Sequence, residues 1–373
     1  MTVAQKTLSD LGWTSFLDRV AARCAAEEAA ALARQLPFVD VPSARSRMQL
    51  IMEFKNCIDN DDPPPLLDVI PCGEALALID AGGSVTVDMF LAIAQNIRRF
   101  VSLFRYLENR TDTSAAFSGQ VSVSRLAAEI DATFEPDGTI RDTASPELGR
   151  LRRRIQSLRQ NLLAHLDAIV RNNDDILQEL TITQRGDRYV VAVRADAHHP
   201  LPGIVHGSSG TGATIFVEPR ETVEEGNDLT LAKEAVRHEE QRILNALRGA
   251  IREQSADLRR AIAATIEADV RIASGKVCWD IDGHIPLCGA PGALSLRAAR
   301  HPLLILDGIQ VVANDIDVTP GRTMLISGPN AGGKTVVLKT VGLLSLMLKA
   351  GFPISAGPDS SAGELDDVFS DIG

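Results

Sequence analysis

Apolar positions change their period several times along the chain, and each change marks a different kind of element. Up to about residue 125 they recur at helical spacing in short runs. Phe16, Val20 and Cys24 form one stripe, and Leu91, Ile93 and Ile97 with Phe100 form another. Pro63-Pro64-Pro65 marks a loop, and residues 1–140 read as a helical core. Pro136-Asp137-Gly138 is a turn signal. Ser145-Pro146-Glu147 then supplies an N-cap serine, a proline at the first helical position and an acid in the first turn. From there Leu148, Leu151, Ile155, Leu158, Leu162, Leu166 and Ile169 alternate steps of three and four, a seam suited to packing on another helix. A helix from 145 to about 175 would be roughly 45 Å long. A second seam runs through Val236, Ile243, Leu247, Ile251, Leu258, Ile262 and Ile266. The pattern predicts an ascending lever helix over 141–178 and a descending one over 223–275, paired as an antiparallel coiled-coil arm.

Between the seams the period becomes that of strands. Tyr189–Val193 and Ala213–Val217 are strand-like, and Gly207-Ser208-Ser209-Gly210-Thr211-Gly212 reads as a hairpin tip. Residues 179–222 are therefore expected to form a small β-rich module at the end of the arm. Past about 276 short apolar runs appear at Leu303–Leu306, Ile309–Val312 and Ile316–Val318, split by turns. Thr323-Met324-Leu325-Ile326-Ser327 has the composition of a buried parallel strand. Val336 to Leu348 is apolar on nearly every side and is stopped by Gly351 and Pro353.

The strongest chemical signal lies between that strand and that helix. Gly328-Pro329-Asn330-Ala331-Gly332-Gly333-Lys334-Thr335 fits G-x-x-x-x-G-K-[ST] at every fixed position. Strand, glycine loop and helix N-terminus together aim backbone N–H groups and the positive helix end at a polyphosphate. Lys334 would reach the β- and γ-phosphates, and the Thr335 hydroxyl would hold Mg²⁺. ATP and Mg²⁺ are the expected ligands. The fold expected overall is mainly α with a small β clamp module, plus the first part of an α/β P-loop NTPase domain over 276–373. Such a domain needs a second metal-binding carboxylate at the end of a later apolar strand. Val368, Phe369 and Ile372 could form a short strand with Asp371 near its end. No run of four apolar residues leads into an acidic pair, so Asp371 is not assigned that role, and no catalytic residue is assigned.

Composition narrows the remaining classes. Five cysteines (Cys24, Cys57, Cys72, Cys278, Cys288) lack any C-x-x-C pair and read as reduced, cytosolic and structural. No apolar run reaches membrane-spanning length and no signal peptide opens the chain, so a cytoplasmic, membrane-free protein is expected. A net charge of −11 argues against indiscriminate coating of nucleic acid, so any such contact must be local. The predicted β module is the place for one: Arg185, Arg188, Arg194 and His206 lie in it and could touch phosphates. The His198-His199 pair lacks neighbouring ligands. Arg150, Arg152, Arg153, Arg154 and Arg159 cluster on the first lever helix. Their ordinary reading is a solvated face paired with Glu234, Glu239 and Glu240 of the second.

With Leu325-Ile326-Ser327 ahead of the G-P-N-A-G-G-K-T loop, and with Arg300-His301-Pro302-Leu303 and Val311-Val312-Ala313-Asn314 before it, the chain resembles a MutS-family ATPase. It is similar to the bacterial type-two branch through three further segments. These are Gly333 to Leu344, Pro202–His206 with Phe216-Val217-Glu218-Pro219, and Phe134–Gly138. The resemblance covers essentially the whole chain and identifies it as an N-terminal piece of such a protein. It implies an ATP-driven homodimer that clamps duplex or branched DNA and restrains recombination. In parts of the branch it also implies a clamp acting on collided ribosomes and their rRNA. By position Val311 and Val312 would lie against adenine. The second acidic ATPase motif, the partner-sensing loop and the C-terminal nuclease domain are expected beyond Gly373. Phe216-Val217-Glu218 contains the F-x-E triplet of mismatch readers, but at a strand end it reads as a core Phe followed by a turn Glu. The rival reading is a non-catalytic nucleic-acid or ribosome clamp with a relic P-loop. A coiled-coil ATPase of the SMC or RecN kind would place its P-loop before the coiled coil, against the order here.

Overall fold

The computed structural model describes residues 3–107, 121–197, 201–329 and 333–372. In chain order the helices are α1 (Gln5–Asp10), α2 (Trp13–Ala21), α3 (Glu27–Ala33), α4 (Val41–Asp59), α5 (Gly73–Asp80), α6 (Val87–Leu107), α7 (Val121–Thr133) and α8 (Pro146–Asn172). Strands β1 (Leu177–Arg185), β2 (Arg188–Arg194), β3 (Gly203–Ser208) and β4 (Thr214–Pro219) follow. Then come α9 (Val223–Glu253), α10 (Ser255–Asp280), β5 (Leu287–Cys288), β6 (Leu294–Ala299), α11 (Pro302–Leu306), β7 (Asn314–Val318), α12 (Lys334–Ala350) and β8 (Ser361–Ala362). The architecture is mixed α/β, dominated by helix, with two four-stranded sheets among the described residues. It divides into two compact units, Ala128–Glu253 and a discontinuous one built from Met1–Ala127 and Gln254–Gly373.

The discontinuous unit is held by a core that draws on both of its segments. Phe16 of α2 is fully buried and meets Phe352, just past α12, edge-on at 4.9 Å between ring centroids. Around them lie Leu343, Leu344, Leu346 and Met347 of α12, with Ile354 and Val277. A buried carboxylate ties the segments as well. Asp269 of α10 accepts from the backbone N–H of Ala25 (2.8 Å) and Ala26 (2.9 Å), satisfying donors at the start of α3. The second sheet, ordered β5-β8-β6-β7, flanks this core. Two thiols, the half-buried Cys24 and the buried Cys278, have their pKa values pushed up to about 12, chiefly by burial, which keeps them inert. Among the described residues no helix is long and apolar enough to cross a membrane.

In the other unit α8 and α9 pack along the first predicted seam, with Leu148, Leu151, Leu162 and Leu166 buried. The second seam behaves differently from the expectation of one helix to residue 275. The chain has two helices, α9 and α10, interrupted at Gln254. Val236, Ile243, Leu247 and Ile251 lie on α9, whereas Leu258, Ile262 and Ile266 of α10 belong to the core of the discontinuous unit. An unbroken stripe says only that successive turns bury the same face, so it passes over a one-residue break.

Ser145 caps α8 as expected, accepting from Leu148 N at 2.9 Å, and it does a second job. Its hydroxyl donates to Glu239 Oε1 of α9 at 2.6 Å, while Arg242 donates to both Glu239 oxygens. Those bonds, Arg242 first and Ser145 second, lower the Glu239 pKa from the usual carboxylate range to about 2. The unfolded chain takes up this proton near the ordinary carboxylate value, and the folded chain only near 2. Glu239 therefore contributes stability above that ordinary value, and its contribution is lost as pH falls toward about 2. Acid titration of the helical signal should show this, with Glu239→Gln flattening the profile between pH 5 and 2. An unchanged profile would remove the ion-bonded cap from the account.

Candidate functional site

The loop Gly328–Thr335 sits at the N-terminus of α12. Asn330, Ala331 and Gly332 lie outside the described residues, so its two flanks define the geometry. Gly333 occupies the N-cap position with φ +76°, a left-handed conformation that glycine adopts without the Cβ penalty. Glycine has no side chain with which to cap this end, and no acid lies in the helix's first turn. The first N–H groups of this seventeen-residue helix are among the donors that an α-helix start leaves without an intrahelical partner, and they suit an anion. Lys334 folds back so that its ammonium donates to the Gly328 carbonyl. Thr335 is exposed. At the other end Gly351 has φ +74°. Phe352 N bonds Met347 O (2.8 Å) and Gly351 N bonds Leu348 O (3.0 Å), the double bond of a Schellman stop.

Only the far half of α12 is anchored. Thr340 and Leu343–Leu348 are buried, whereas Val336 and Leu338 are exposed. Gly342 faces Leu11 so closely that a Cβ there would stand 2.4 Å from Leu11 Cδ2. The helix is therefore set deep into the core at one end, with its N-terminal end in solvent.

Two expectations around the loop are corrected, the strand ahead of it and the short strand over 368–372. Thr323–Ser327 forms no strand, and Leu325 is 89% exposed. A parallel strand exists only with ladder partners on its flanks, and no described strand pairs with this run. Leu303–Leu306 is helical, in α11, and Ile309–Val312 is coil. Val312 is 79% exposed and Val311 half-buried, both just ahead of β7. Residues 368–372 likewise form no strand. That segment is held by side chains, with Asp371 on Lys6 (2.7 Å) and Ser370 on Asp10 (3.0 Å). Among the described residues no group of three His, Cys, Asp or Glu side chains could hold a metal ion.

The β module has sheet order β1-β2-β4-β3, all antiparallel. The two predicted strands are its centre, and the two missed ones, β1 and β3, are its edges. Val191, Val193, Val217 and Leu177 pack with Leu162, Leu166 and Val170 of α8 and Leu229 of α9. The candidate nucleic-acid residues fall into two groups. Arg188 and His206 converge on Glu218, which is 2% exposed. Arg188 Nη1 donates to Glu218 Oε1 at 3.1 Å, and His206 Nε2 lies 2.7 Å from Glu218 Oε2. The other Arg188 amine donates to Asn227 Oδ1 at 2.7 Å, joining sheet and α9. Gly226 of α9 is needed there, because a Cβ would come within 2.7 Å of Glu218 Oε1. Glu218 is thus a buried strand residue at the hub of a polar network, and not the turn residue expected. Arg185 and Arg194 remain nearer solvent. Arg185 stacks 4.1 Å over the half-buried Phe216 ring, and Arg194 lies 3.7 Å from Asp196. His198 and His199 are outside the described residues.

The arginine cluster on α8 only partly follows its expected pairing. Arg152 reaches Glu240 (2.8 Å) and Asp142 (2.6 Å), and Arg150 is bound by Glu147 within its own helix. Glu239 is taken by Arg242 and Ser145. Arg153, Arg154 and Arg159 are exposed and, among the described residues, have no carboxylate partner.

No protein-family model matches the chain. A protein of Anaeromyxobacter sp. (strain Fw109-5) named Endonuclease MutS2 is 34% identical, covering 96% of this chain and 47% of the relative. Endonuclease MutS2 of Synechocystis sp. (strain ATCC 27184 / PCC 6803 / Kazusa) is 32% identical, covering all of this chain and 47% of the relative. Endonuclease MutS2 of Pelotomaculum thermopropionicum is 35% identical over 78% of this chain and 38% of the relative. The chain spans about half the length of the first of these curated relatives.

Proposed function

Because the chain belongs along its whole length to the MutS2 family, we propose that it couples a nucleotide site at α12 to a nucleic-acid clamp built on α8, α9 and their sheet. The observation that carries this reading is the N-terminus of α12, where the N-cap is a left-handed glycine, Gly333, and the Lys334 ammonium donates to the Gly328 carbonyl. These groups suit ATP. The first-turn N–H groups would receive the phosphates, Lys334 would exchange the Gly328 carbonyl for β- and γ-phosphate oxygens, and Thr335 would take Mg²⁺. Mg²⁺ neutralises charge on the phosphates when bound. Val311 and Val312, ahead of β7, are available to the adenine. The reading assigns binding and not turnover, because among the described residues no acidic pair stands at a strand end. The clamp would grip duplex or branched DNA as a homodimer, in DNA repair or recombination.

Titration of Mg-ATP against the chain and against Lys334→Ala tests the nucleotide half. Removing a charge-assisted phosphate contact should weaken binding by roughly ten- to a hundredfold. Equal affinity for the two proteins would sink it. One observation favours a second reading, a clamp with a relic loop. Residues 323–327 ahead of the loop have no ladder, and a loop hung on unpaired backbone is poorly preorganised. That reading expects no measurable Mg-ATP affinity in the unmutated chain, together with intact duplex binding.

A further inference from the structure

We propose that the outer face of α8 is itself a track for the phosphate backbone of duplex DNA, in addition to the contacts expected from the β sheet. The proposal rests on the clamp reading above and extends it from the sheet to the helix. Between Glu147 and Asp167 the helix carries no acid at all, within a chain whose net charge is −11. Its buried residues, Leu151, Leu162 and Leu166 among them, form one line. The opposite side presents Arg150, Arg153, Ser157 and Gln160, all exposed, with Arg154 and Asn161 on one flank and Arg159 on the other.

Pairing within the protein does not account for this face. Of the α9 acids, Glu239 is held by Arg242 and Ser145 and Glu240 reaches Arg152, and among the described residues none forms an ion pair with Arg153, Arg154 or Arg159. Three guanidinium groups are left to solvent, flanked by amide and hydroxyl side chains that donate to phosphates without adding charge. At 1.5 Å per residue Arg150 to Arg159 spans about 14 Å. A duplex carries one charge per roughly 1.7 Å of axis, so that length of duplex holds about eight phosphates, of which one side is within reach. Arginine suits them because its planar fork binds phosphate oxygens in pairs. A merely soluble helix face would mix signs, as α9 does with Glu234 beside Arg237.

The test is duplex-DNA affinity as a function of salt, for the unmutated chain, for Arg153→Gln/Arg154→Gln/Arg159→Gln, and for the same three positions changed to Lys. If all three contact phosphates, the slope of log K against log salt should fall by about 0.9 per contact, thus by about 2.7, equally for unrelated sequences. The lysine variant should keep most of the slope. An unchanged slope in the glutamine variant overturns the α8 track and leaves the sheet-based clamp standing. A loss seen only with an RNA duplex overturns the assignment to DNA. Failure of the unmutated chain to bind any duplex overturns the clamp reading, and this inference with it.

Discussion

Replacing Glu218 with alanine should cost roughly 3 kcal/mol, the low end for breaking a buried charge pair by removing one member. The low end applies because Arg188 and His206 keep about a quarter of their side-chain surface exposed. Their cationic or polar ends would face a vacated site, and the link from β4 through Arg188 to Asn227 would lose its hub. Amide exchange of β2 and β4 is the measurement, since it reports this unit alone. Protection should collapse toward that of the edge strands. Glu218→Gln keeps the shape and one acceptor, and should fall between. A loss below about 1 kcal/mol would mean that the network is solvated and that its members are free for ligands, contrary to the geometry. Gly226→Ala should mimic part of the effect by displacing the same carboxylate.

The second large effect belongs to Asp269. Burial raises its pKa, and the N–H groups of Ala26 and Ala25 pull against that shift. Asp269→Ala leaves both donors at the start of α3 without an acceptor inside the core, at a cost of about 2–3 kcal/mol. Trp13 is 3% exposed in the same core, so the fluorescence-detected urea midpoint should drop at unchanged slope. Asp269→Asn retains an acceptor and should lose less than half as much. A midpoint unmoved by the alanine change would show that α3 is capped by water.

How much of this was legible beforehand depends on how local each cause is. The cap at Ser145, the stop at Gly351 and the strands β2 and β4 all write themselves into neighbouring residues, and all can be read there. Strands β1 and β3 could not, because edge strands bury one side or neither: Leu180, Ile204 and Val205 are exposed, and Gln178 and Glu179 break any alternation. The role of Glu218 was hidden because its partners sit 30 and 12 residues away, and only the ladder brings them together. Thr323–Ser327 shows the opposite failure. Its composition is that of a central strand, but composition cannot supply a neighbour.

The split construction of the larger unit has a consequence for synthesis. Phe16 and the helices around it emerge first, yet the residues that cover them, Val277 and Leu343 to Phe352, come more than two hundred positions later. At about 5–20 residues per second that gap is roughly ten to sixty seconds. Throughout it the unit Ala128–Glu253, contiguous in sequence, can complete itself while the opening helices wait with their apolar faces bare. The nascent chain should therefore bind hydrophobic holdases through residues 3–107, and release them only as α12 leaves the ribosome.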